Sequence, residues 1–409
     1  MSLLTRCRLC GHASPTLFMD LGDQPFANAL HKGDAPTARH PLALAFCHNC
    51  SLVQLTHTAD PKELFSSYVW VTGTADTTRE YAATFARDVL DRAPGAGFVL
   101  EAASNDGTFL KEFQAAGPRV LGVDPAENIG DMARRSGIPT KTAFFGEQEA
   151  RAIVQDNGHA DIVIARNVLP HVADPHDFLA GFQIALAPDG LGVIETHHAG
   201  IILEELQYDS IYHEHLCYFT AQTFAALAER HGLHAFDVMD SPISGGSKVF
   251  FLGKTPRPAS AALTGLWAQE AEAGVNDFKA WNRFADLCRE HGQHLFALLE
   301  SARKDNKKVA GYGASARSST MLNYCGIGVD HIQMIADQNP LKHGLLSPGS
   351  NIPIVSPQTM LQGEPDVVIV LAWNFFDEIL AILRTKHGYS GEIIKPLPIS
   401  PVLVPPQRN

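Results

Sequence analysis

From about residue 98 onward, short apolar runs alternate along the chain with amphipathic segments of helical period. Apolar residues occupy successive rather than alternate positions within these runs, which is typical of strands buried on both faces of a parallel sheet. A first series of such runs lies at 98–102, 119–125, 160–168 and 191–197. Helix-like segments such as 108–117 and 175–186 lie between them, and residues 78–93 are predicted to form a helix before the first strand. This alternation predicts a doubly wound α/β sheet.

The same alternation begins again towards the end of the chain, where a second α/β sheet is predicted. A long helical stretch, about 264–304, precedes apolar runs at 307–313, 331–337 and 365–373. Residues 241–262 are rich in Gly, Pro and Ser around one short strand, which indicates a crossing between the two halves. Residues 1–60 contain no long periodic apolar segment and indicate a small loop-rich unit without a core of its own. We therefore predict three parts, with bounds at 1–65, 66–250 and 251–409.

Composition places the chain among ordinary globular proteins. Its 409 residues correspond to two or three domains of about 150 residues each, and a chain that is 45% hydrophobic and 19% charged is not disordered. A net charge of −12 opposes a general attraction to nucleic acid or to an anionic membrane. No apolar run approaches the ~20 residues that cross a bilayer, and the first residues lack the apolar stretch of a signal peptide. We expect a cytoplasmic protein with neither a nucleic-acid nor a membrane partner.

The seven cysteines are unevenly distributed. An odd number in a chain of this length argues against a disulfide framework. Four of them form two Cys-x-x-Cys pairs near the start of the chain: Cys7, Cys10, Cys47 and Cys50. Four thiolates close a tetrahedral zinc site and leave no position for a water, so the zinc is predicted to be structural. The alternatives are a chance placement of buried cysteines and a redox-active Cys-x-x-Cys.

A turn between a predicted strand and a predicted helix, residues 99–108, is a candidate cofactor site. At such a turn, backbone N–H groups face the crevice at the carboxyl end of the strand, and Gly107 permits close approach. Carboxylates at Glu101 and Asp106 suit a ligand with a positive centre and hydroxyl groups better than a pyrophosphate. Asp124 follows about 20 residues later, where an acid binds the hydroxyls of a ribose. The pattern favours S-adenosylmethionine over NAD, and a generic turn with solvated acids is the alternative.

Two further polar residues, Asn167 and His171, follow the third apolar run of the first series and are expected to line the same crevice. Either residue suits a helix cap or a surface position equally well.

The densest cluster of titratable side chains is the segment 208–219. Two histidines, a glutamate and three tyrosines lie within it. A histidine takes up a proton near pH 7, and a glutamate or tyrosine orients it or holds a substrate hydroxyl. Zinc binding by His213 and His215 is the alternative, but these residues supply only two ligands. The cluster is therefore predicted to carry the chemistry.

These segments together resemble the S-adenosylmethionine-dependent C-methyltransferases of nucleotide-linked keto-deoxysugars, the dTDP-sugar C-3'-methyltransferases. The resemblance covers nearly the whole chain, and its most distinctive motif is Tyr212-His-Glu-His215. The other matching segments are the four paired cysteines, Ser104–Thr108, Tyr218-Phe219, Gly245–Ser247, Gly311–Ala314, Asp337–Pro340, Pro348-Gly349 and Ala372–Asn374. The resemblance implies an N-terminal zinc-binding module, a central Rossmann-like methyltransferase domain and a C-terminal Rossmann-like domain that binds the nucleotide sugar.

The resemblance also implies roles for individual residues. It makes His215 the base that removes the proton from the sugar carbon, while Tyr212 and Glu214 contact the sugar or assist the proton transfer. Tyr68 is the candidate for a tyrosine that an aromatic segment after the zinc module supplies, with Trp70 close by. The implied cofactor-binding residues are Glu101, Ser104, Asn105, Asp106, Gly107, Asp124, Pro125 and Asn167.

Two positions depart from the family pattern. Ala102-Ala103 stand where Ile-Gly is usual, and Ser244 stands where a histidine is usual, so the second departure bears on which sugar is bound. The implied substrate is a 4-keto-deoxysugar on a nucleoside diphosphate, with thymidine as the expected nucleoside. We expect the enzyme to be a monomer.

A second fingerprint supports a rival interpretation. Residues 311–316 fit G-x-G-x-x-A after a predicted strand, and Asp337 follows about 20 residues later, as in dinucleotide sites. This pattern favours an NAD-dependent oxidoreductase with a zinc-stabilised cap. The family resemblance instead puts the sugar nucleotide near this domain, where Arg317 would meet its pyrophosphate. A catalytically inactive sugar-nucleotide-binding protein is the third interpretation, and the intact Tyr212–His215 motif weighs against it.

Overall fold

The computed structural model describes residues 1–33, 37–66, 71–74, 76–243 and 245–407. The strands are β1 Ser2–Leu3, β2 Thr16–Pro25, β3 Arg39–Phe46, β4 Val53–Leu55, β5 His57–Thr58, β6 Phe98–Ala102, β7 Arg119–Asp124, β8 Thr140–Thr142, β9 Ala160–Arg166, β10 Leu186–His197, β11 Cys217–Tyr218, β12 His234–Ser241, β13 Ser247–Gly253, β14 Val309–Tyr312, β15 Met334–Ala336, β16 Ile354–Val355, β17 Val367–Val370, β18 Glu392–Lys395 and β19 Val402–Val404. The helices are α1 Pro61–Phe65, α2 Asp76–Arg92, α3 Thr108–Ala116, α4 Glu127–Arg135, α5 Glu147–Asn157, α6 Pro175–Ala185, α7 Ala199–Glu204, α8 Ala221–Glu229, α9 Ala261–Ala273, α10 Phe278–Lys304, α11 Ala316–Tyr324, α12 Pro357–Gln362 and α13 Phe376–Ala381.

The chain divides into two compact units, each assembled from segments that are far apart in the sequence. The first unit is called the methyltransferase unit below, because the family resemblance predicts a methyltransferase domain in this region, and it contains Met1–Thr16, Ala45–Gly200 and Leu216–Asp277. The C-terminal unit contains Leu17–Leu44, Ile201–His215 and Phe278–Asn409. The three-part division at residues 65 and 250 stays a prediction.

The methyltransferase unit is built on a seven-stranded sheet with the order β12-β13-β10-β9-β6-β7-β8. The strands predicted from the apolar runs pair in parallel, which confirms the doubly wound α/β class. β13 is antiparallel to both of its neighbours, β10 and β12. The prediction of a crossing at 241–262 is therefore wrong for this strand. Gly245 and Gly246, with φ of 75° and 109°, turn the chain back into the same sheet instead of leading it away.

The strand order places the candidate cofactor site. β6 pairs with β7 on one side and with β9 on the other. The chain therefore continues from β6 to β7 on one side of the sheet and later forms β9 on the other side of β6. Such a reversal opens a crevice at the carboxyl ends of the two strands, where open α/β sheets bind ligands. The turn that follows β6 and the residues that follow β9 both lie at this edge.

Aromatic side chains dominate the core that supports this edge. Tyr81 and Phe85 from α2 pack with Phe109 and Phe113 from α3, all buried. The Phe85 and Phe109 rings lie 5.4 Å apart at 83°, an edge-to-face pair of the kind worth about 0.5–1.5 kcal/mol beyond its buried area. The helix predicted over 78–93 is α2, and it packs against α3, the helix that follows the candidate cofactor turn.

The C-terminal unit contains a six-stranded sheet with the order β16-β15-β14-β17-β18-β19, which confirms the second α/β region. Its strands are parallel except β19, which is antiparallel to β18. The single helix expected over 264–304 is two helices, α9 and α10. Gly274 ends α9 in the left-handed conformation, with φ of 64°, which the apolar periodicity does not reveal.

The N-terminal region contains more regular structure than the loop-rich unit that its composition indicated. β2 has ten residues and β3 has eight, and the two strands are neighbours in one sheet. Within the ranges that the structure describes, none of the helices is both long and apolar enough to cross a membrane.

Candidate active site and zinc site

The four paired cysteines converge within the methyltransferase unit. Their sulfur atoms all lie within 4.8 Å of one another, with Cys7–Cys50 at 3.6 Å and Cys10–Cys47 at 3.5 Å. Tetrahedral zinc with bonds of about 2.3 Å holds its sulfur ligands about 3.8 Å apart, so this cluster fits the ion. Each Cys-x-x-Cys segment forms the same kind of turn, in which Gly11 N donates to Cys7 O and Ser51 N donates to Cys47 O.

The cofactor turn after β6 is formed by alternate residues in the left-handed region. Ala103, Asn105 and Gly107 have φ of 56°, 52° and 78°. A side chain at Gly107 would meet Ile138 at 3.0 Å, so this position requires glycine for its φ and for its packing. Ala103 is the residue that stands where the family usually has glycine, and it adopts this conformation despite its Cβ.

Two buried acids lie at the strand ends beside this turn. Glu101 is 2% exposed, and its Oε2 has no hydrogen-bond partner among the described residues. Burial raises the pKa of Glu101 to about 8, although Arg166 opposes the shift. Asp124 is also buried, and its two oxygens accept hydrogen bonds from Asn105 N and Ala126 N, both at 2.9 Å.

A buried carboxyl oxygen without a hydrogen-bond donor is costly unless a ligand brings a donor or a positive charge. S-adenosylmethionine brings an ammonium group, a sulfonium and two ribose hydroxyls, and therefore fits this set of acceptors. Ser104 Oγ is a second buried atom without a hydrogen-bond partner in the described part of the chain. Gly122 leaves room for it, since a Cβ there would lie 2.3 Å from that oxygen. Pro125 follows Asp124 at the same edge.

Asn105 and Asp106 have contacts that the sequence did not indicate. The Asn105 side chain accepts a hydrogen bond from Thr72 N at 2.9 Å, and Asp106 Oδ2 accepts one from Gly73 N at 3.1 Å. Asp106 Oδ1 also accepts from the backbone and hydroxyl of Thr108 at the start of α3. These two side chains thus hold the 72–74 turn and the helix start, and their contact with the cofactor stays a prediction. Tyr68 lies outside the described residues.

A buried ion pair beside the cofactor turn was missed by the sequence analysis. Arg166 Nε donates to Glu195 Oε2 at 2.8 Å, and the Arg166 guanidinium lies 3.1 Å from the centre of the Phe109 ring. Asn167, in the left-handed region at φ of 49°, and Ser241 both donate to Glu195 Oε1. The available signal was a charged residue, Arg166 or Glu195, near the carboxyl end of each of two mostly apolar strands. His171 follows on a short turn, and burial lowers its pKa to about 4.

In the C-terminal unit, the Tyr212-His-Glu-His215 motif forms a tight hydrogen-bonded turn. His215 Nδ1 lies 2.7 Å from Ser210 O, and a carbonyl only accepts, so Nδ1 carries the proton of the neutral ring. His215 Nε2 is then the acceptor for the Tyr212 hydroxyl at 2.8 Å. Burial and the nearby Glu214 hold the pKa of Tyr212 well above its usual range, so this hydroxyl stays protonated. His213 does not share this arrangement, because its Nε2 donates to His40 O at 3.3 Å.

The residues before the motif are anchored to α10, to α11 and to the segments that follow β17 and β18. Asp209 is fully buried and accepts two hydrogen bonds from Arg317 and one from Trp373 Nε1 at 2.7 Å. Tyr208 donates to His291 Nδ1 at 2.9 Å, while His291 Nε2 donates to Pro396 O. Two nitrogens of Arg317 are thus committed to Asp209, and its contact with a pyrophosphate stays a prediction.

The dinucleotide fingerprint of the second sheet is used for internal packing. Asp337 Oδ2, the atom expected to meet a ribose, accepts from Ala314 N at 2.9 Å and from Lys342 Nζ at 3.1 Å. Gly313 has φ of 98°, and a Cβ there would lie 2.4 Å from that of Ala372. The glycine is required by the neighbouring backbone, and Asp337 is already ion-paired with the Lys342 ammonium, which weighs against an NAD site.

Comparison with known proteins decides between these interpretations. The chain is 33% identical to C-methyltransferase NovU of Streptomyces niveus over 407 residues, which cover 97% of this chain and 96% of that protein. The chain belongs to this C-methyltransferase family. Three family models match in order along the chain: a "Putative zinc binding domain" at residues 7–65, a "Methyltransferase domain" at 76–237 and a "C-methyltransferase C-terminal domain" at 242–398.

Two further matches cover less than half of the chain. A ubiquinone biosynthesis O-methyltransferase of a Ruegeria species is 27% identical over 177 residues, which cover 39% of this chain and 70% of that enzyme. The solved structure of magnesium protoporphyrin IX methyltransferase from Synechocystis, with bound SAM, shares 12% identity over 42% of this chain and 78% of its own, at a TM-score of 0.33.

Family membership confirms the enzyme class and both cofactors. The protein is an S-adenosylmethionine-dependent C-methyltransferase with an N-terminal zinc-binding region. The NAD-dependent oxidoreductase and the inactive binding protein lose support, since residues 76–237 match a methyltransferase domain and nearly the whole chain aligns with a C-methyltransferase. The individual catalytic and cofactor-binding residues stay predictions.

Proposed function

We propose that this C-methyltransferase methylates the carbon next to the ketone of a 4-keto-deoxysugar carried on a nucleoside diphosphate, with thymidine as the expected nucleoside. The observation that carries the proposal is the arrangement of Tyr212 and His215. The Ser210 carbonyl holds the proton on His215 Nδ1, which leaves Nε2 as the basic atom of a neutral imidazole.

The ketone makes the neighbouring C–H acidic enough for a base of histidine strength. The carbon loses its proton, and the electron pair of the C–H bond becomes an enolate that extends onto the ketone oxygen. S-adenosylmethionine supplies an electrophilic methyl group when bound. Glu101, Ser104 and Asp124 would hold this methyl donor, and the methyl group would pass to the enolate carbon with the electron pair of the methyl–sulfur bond left on sulfur. The protein contributes the base and the alignment of the two reactants.

The Tyr212 hydroxyl is part of the proton path in this proposal. It already donates to His215 Nε2, so the proton from carbon reaches the imidazole through it. The Tyr212 oxygen accepts the carbon's proton as its own proton passes to Nε2, and the phenol is neutral before and after the step. A phenol with a raised pKa suits this relay, because it does not remain ionised.

The remaining predicted residues are assigned to binding. Asp124 is proposed to accept hydrogen bonds from the ribose hydroxyls of the cofactor, and Glu101 to accept one from its ammonium group. Both residues are buried acids at the ends of adjacent strands. Ser104, Asn105, Asp106, Gly107, Pro125 and Asn167 are proposed to complete that site. Glu214 and Tyr68 are proposed to contact the sugar, and the C-terminal domain to hold its nucleotide. We propose that the enzyme acts as a monomer in the cytoplasm.

Solvent exchange tests the deprotonation separately from methyl transfer. Thymidine-diphosphate-linked 4-keto-deoxyhexoses are incubated in D2O with enzyme and S-adenosylhomocysteine, and the deuterium at each carbon is measured against an enzyme-free control. We expect exchange at one carbon beside the ketone, and labelled S-adenosylmethionine should deliver its methyl group to that same carbon. Failure to methylate any sugar of the panel, or exchange and methylation at different carbons, would contradict the proposal.

A further inference from the structure

We propose that Asn28, in the segment between β2 and β3, is a positioning residue for Glu214. This inference rests on the proposed role of Glu214 towards the sugar. Asn28 lies between the two Cys-x-x-Cys pairs, in a region for which the sequence predicted only a structural role. Asn28 and Glu214 both belong to the C-terminal unit.

The contact is short and its polarity is unambiguous. Asn28 Nδ2 donates to Glu214 Oε1 at 2.6 Å, and Glu214 is 3% exposed. The amide oxygen would repel a carboxylate at this distance, so the nitrogen must face Glu214. Hydrogen bonds to an ionised acceptor are about twice as strong as neutral ones. One oxygen of the carboxylate is therefore held in place from outside the motif.

The segment that carries Asn28 is held against the motif at a second point. The Phe26 ring stacks on His40 at 4.6 Å and meets the edge of His213 at 5.1 Å. His213 in turn donates to His40 O. Two consecutive residues of the motif, His213 and Glu214, thus contact one short segment. A turn in which Ala29 N donates to Phe26 O joins the two contacts.

The direction of the Glu214 carboxylate matters for the chemistry. Its negative charge helps to hold the pKa of Tyr212 high, and Tyr212 contacts the proposed base. A carboxylate that turned away would change both the acceptor offered to a sugar hydroxyl and the field at the Tyr212 hydroxyl. Asn28 restricts that rotation, so its loss should reduce turnover without altering cofactor affinity.

The test compares four variants in the full-length zinc-loaded enzyme with a thymidine-diphosphate-linked 4-keto-deoxyhexose that the enzyme methylates. They are Asn28→Ala, Asn28→Asp, Glu214→Ala and the double variant Asn28→Ala/Glu214→Ala. Gln24→Ala is the matched control, because Gln24 is a buried amide of the same region whose Nε2 donates to Leu21 O. Kcat, KM for the sugar, the pH profile and S-adenosylhomocysteine affinity are measured for each.

We expect Asn28→Ala to lower kcat/KM for the sugar by about 10- to 100-fold, as for loss of a hydrogen bond to a charged group. The same change should add nothing when Glu214 is already alanine. The activity of Asn28→Asp, relative to the wild type, should rise as the pH falls. A protonated carboxyl group at position 28 would donate a hydrogen bond to Glu214, whereas an ionised one would repel it. S-adenosylhomocysteine affinity should not change in any of these variants.

Two results would overturn the positioning role alone. One is an Asn28→Ala enzyme no more impaired than Gln24→Ala, and the other is an Asn28→Ala effect of full size in the Glu214→Ala background. A Glu214→Ala enzyme with normal turnover would instead contradict the proposed function of Glu214 itself.

Discussion

His215 has its ring proton assigned by one neighbour, the Ser210 carbonyl, and this makes the choice between the two histidines of the motif testable. We expect His215→Asn to lower turnover about 10²–10⁴-fold, the usual contribution of a positioned base, because asparagine cannot accept the proton. His213→Asn should have a much smaller effect, since His213 donates to a backbone carbonyl. Steady-state kinetics with both variants checks this, and the reverse order of effects would show that the wrong histidine was chosen.

Ala103 shows that a departure from the family pattern has a local conformational cost. Its φ of 56° is one that alanine adopts with strain, while glycine adopts it freely. We expect Ala103→Gly to raise the free energy of unfolding by about 1 kcal/mol.

Ala102→Gly is the matched comparison for this prediction, because Ala102 is fully buried in β6 and has no such strain. That change should lower stability through lost packing and added chain entropy. Urea denaturation of both variants measures the difference, and equal shifts would show that strain at residue 103 is unimportant.

At the scale of elements, the zinc site is expected to hold short segments together. The strands that flank the cysteine pairs in the methyltransferase unit, β1, β4 and β5, have two or three residues each. Such short elements depend on metal binding for their stability. Cys7→Ser or Cys47→Ser should therefore abolish zinc binding and lower the melting temperature. The turnover of the enzyme that remains folded should change much less.

Atomic emission spectroscopy of the purified protein checks this prediction, which requires about one zinc ion per chain in the wild type. Cys217→Ala is the control, because Cys217 is buried in β11 and lies outside the cluster. A chelator-treated protein that melts at the same temperature as the zinc-loaded one would contradict a structural role for the metal.

Elements were predicted well wherever their pattern is local. The runs at 98–102 and 119–125 became β6 and β7, because successive apolar residues within each run fit a strand that is buried on both faces. The helix break at Gly274 and the return of β13 into the first sheet were missed. Both depend on backbone conformations that glycine permits but does not by itself require.

At the scale of the whole molecule, burial of Glu101 should make stability depend on pH. Its folded-state pKa of about 8 lies above the unfolded value of 4.5. The stabilising contribution is therefore complete below pH 4.5 and is lost as the pH rises through 8. Relative to Glu101→Gln, the unliganded wild-type protein should lose stability between these two pH values.

Chemical denaturation of the two proteins at several pH values gives this difference directly. Other titrating groups cancel in the comparison, because they are common to both proteins. A constant difference in the free energy of unfolding across the range would show that Glu101 keeps an ordinary pKa in the folded state. Addition of S-adenosylhomocysteine should reduce the difference, because its ammonium group favours the ionised carboxylate.

The sequence by itself determined the two α/β sheets, the cysteine pairs and the position of the candidate cofactor turn. Each of these features depends on a pattern of residues that are close together in the chain. It also indicated the Tyr212–His215 motif as the candidate for the chemistry, through its density of titratable groups. Only the tertiary structure decided which atom of His215 is basic, why Asp209 and Glu195 can be buried, and that Asn28 meets Glu214. The last two residues are 186 positions apart, and a contact across that distance exists only once the segments between them have folded.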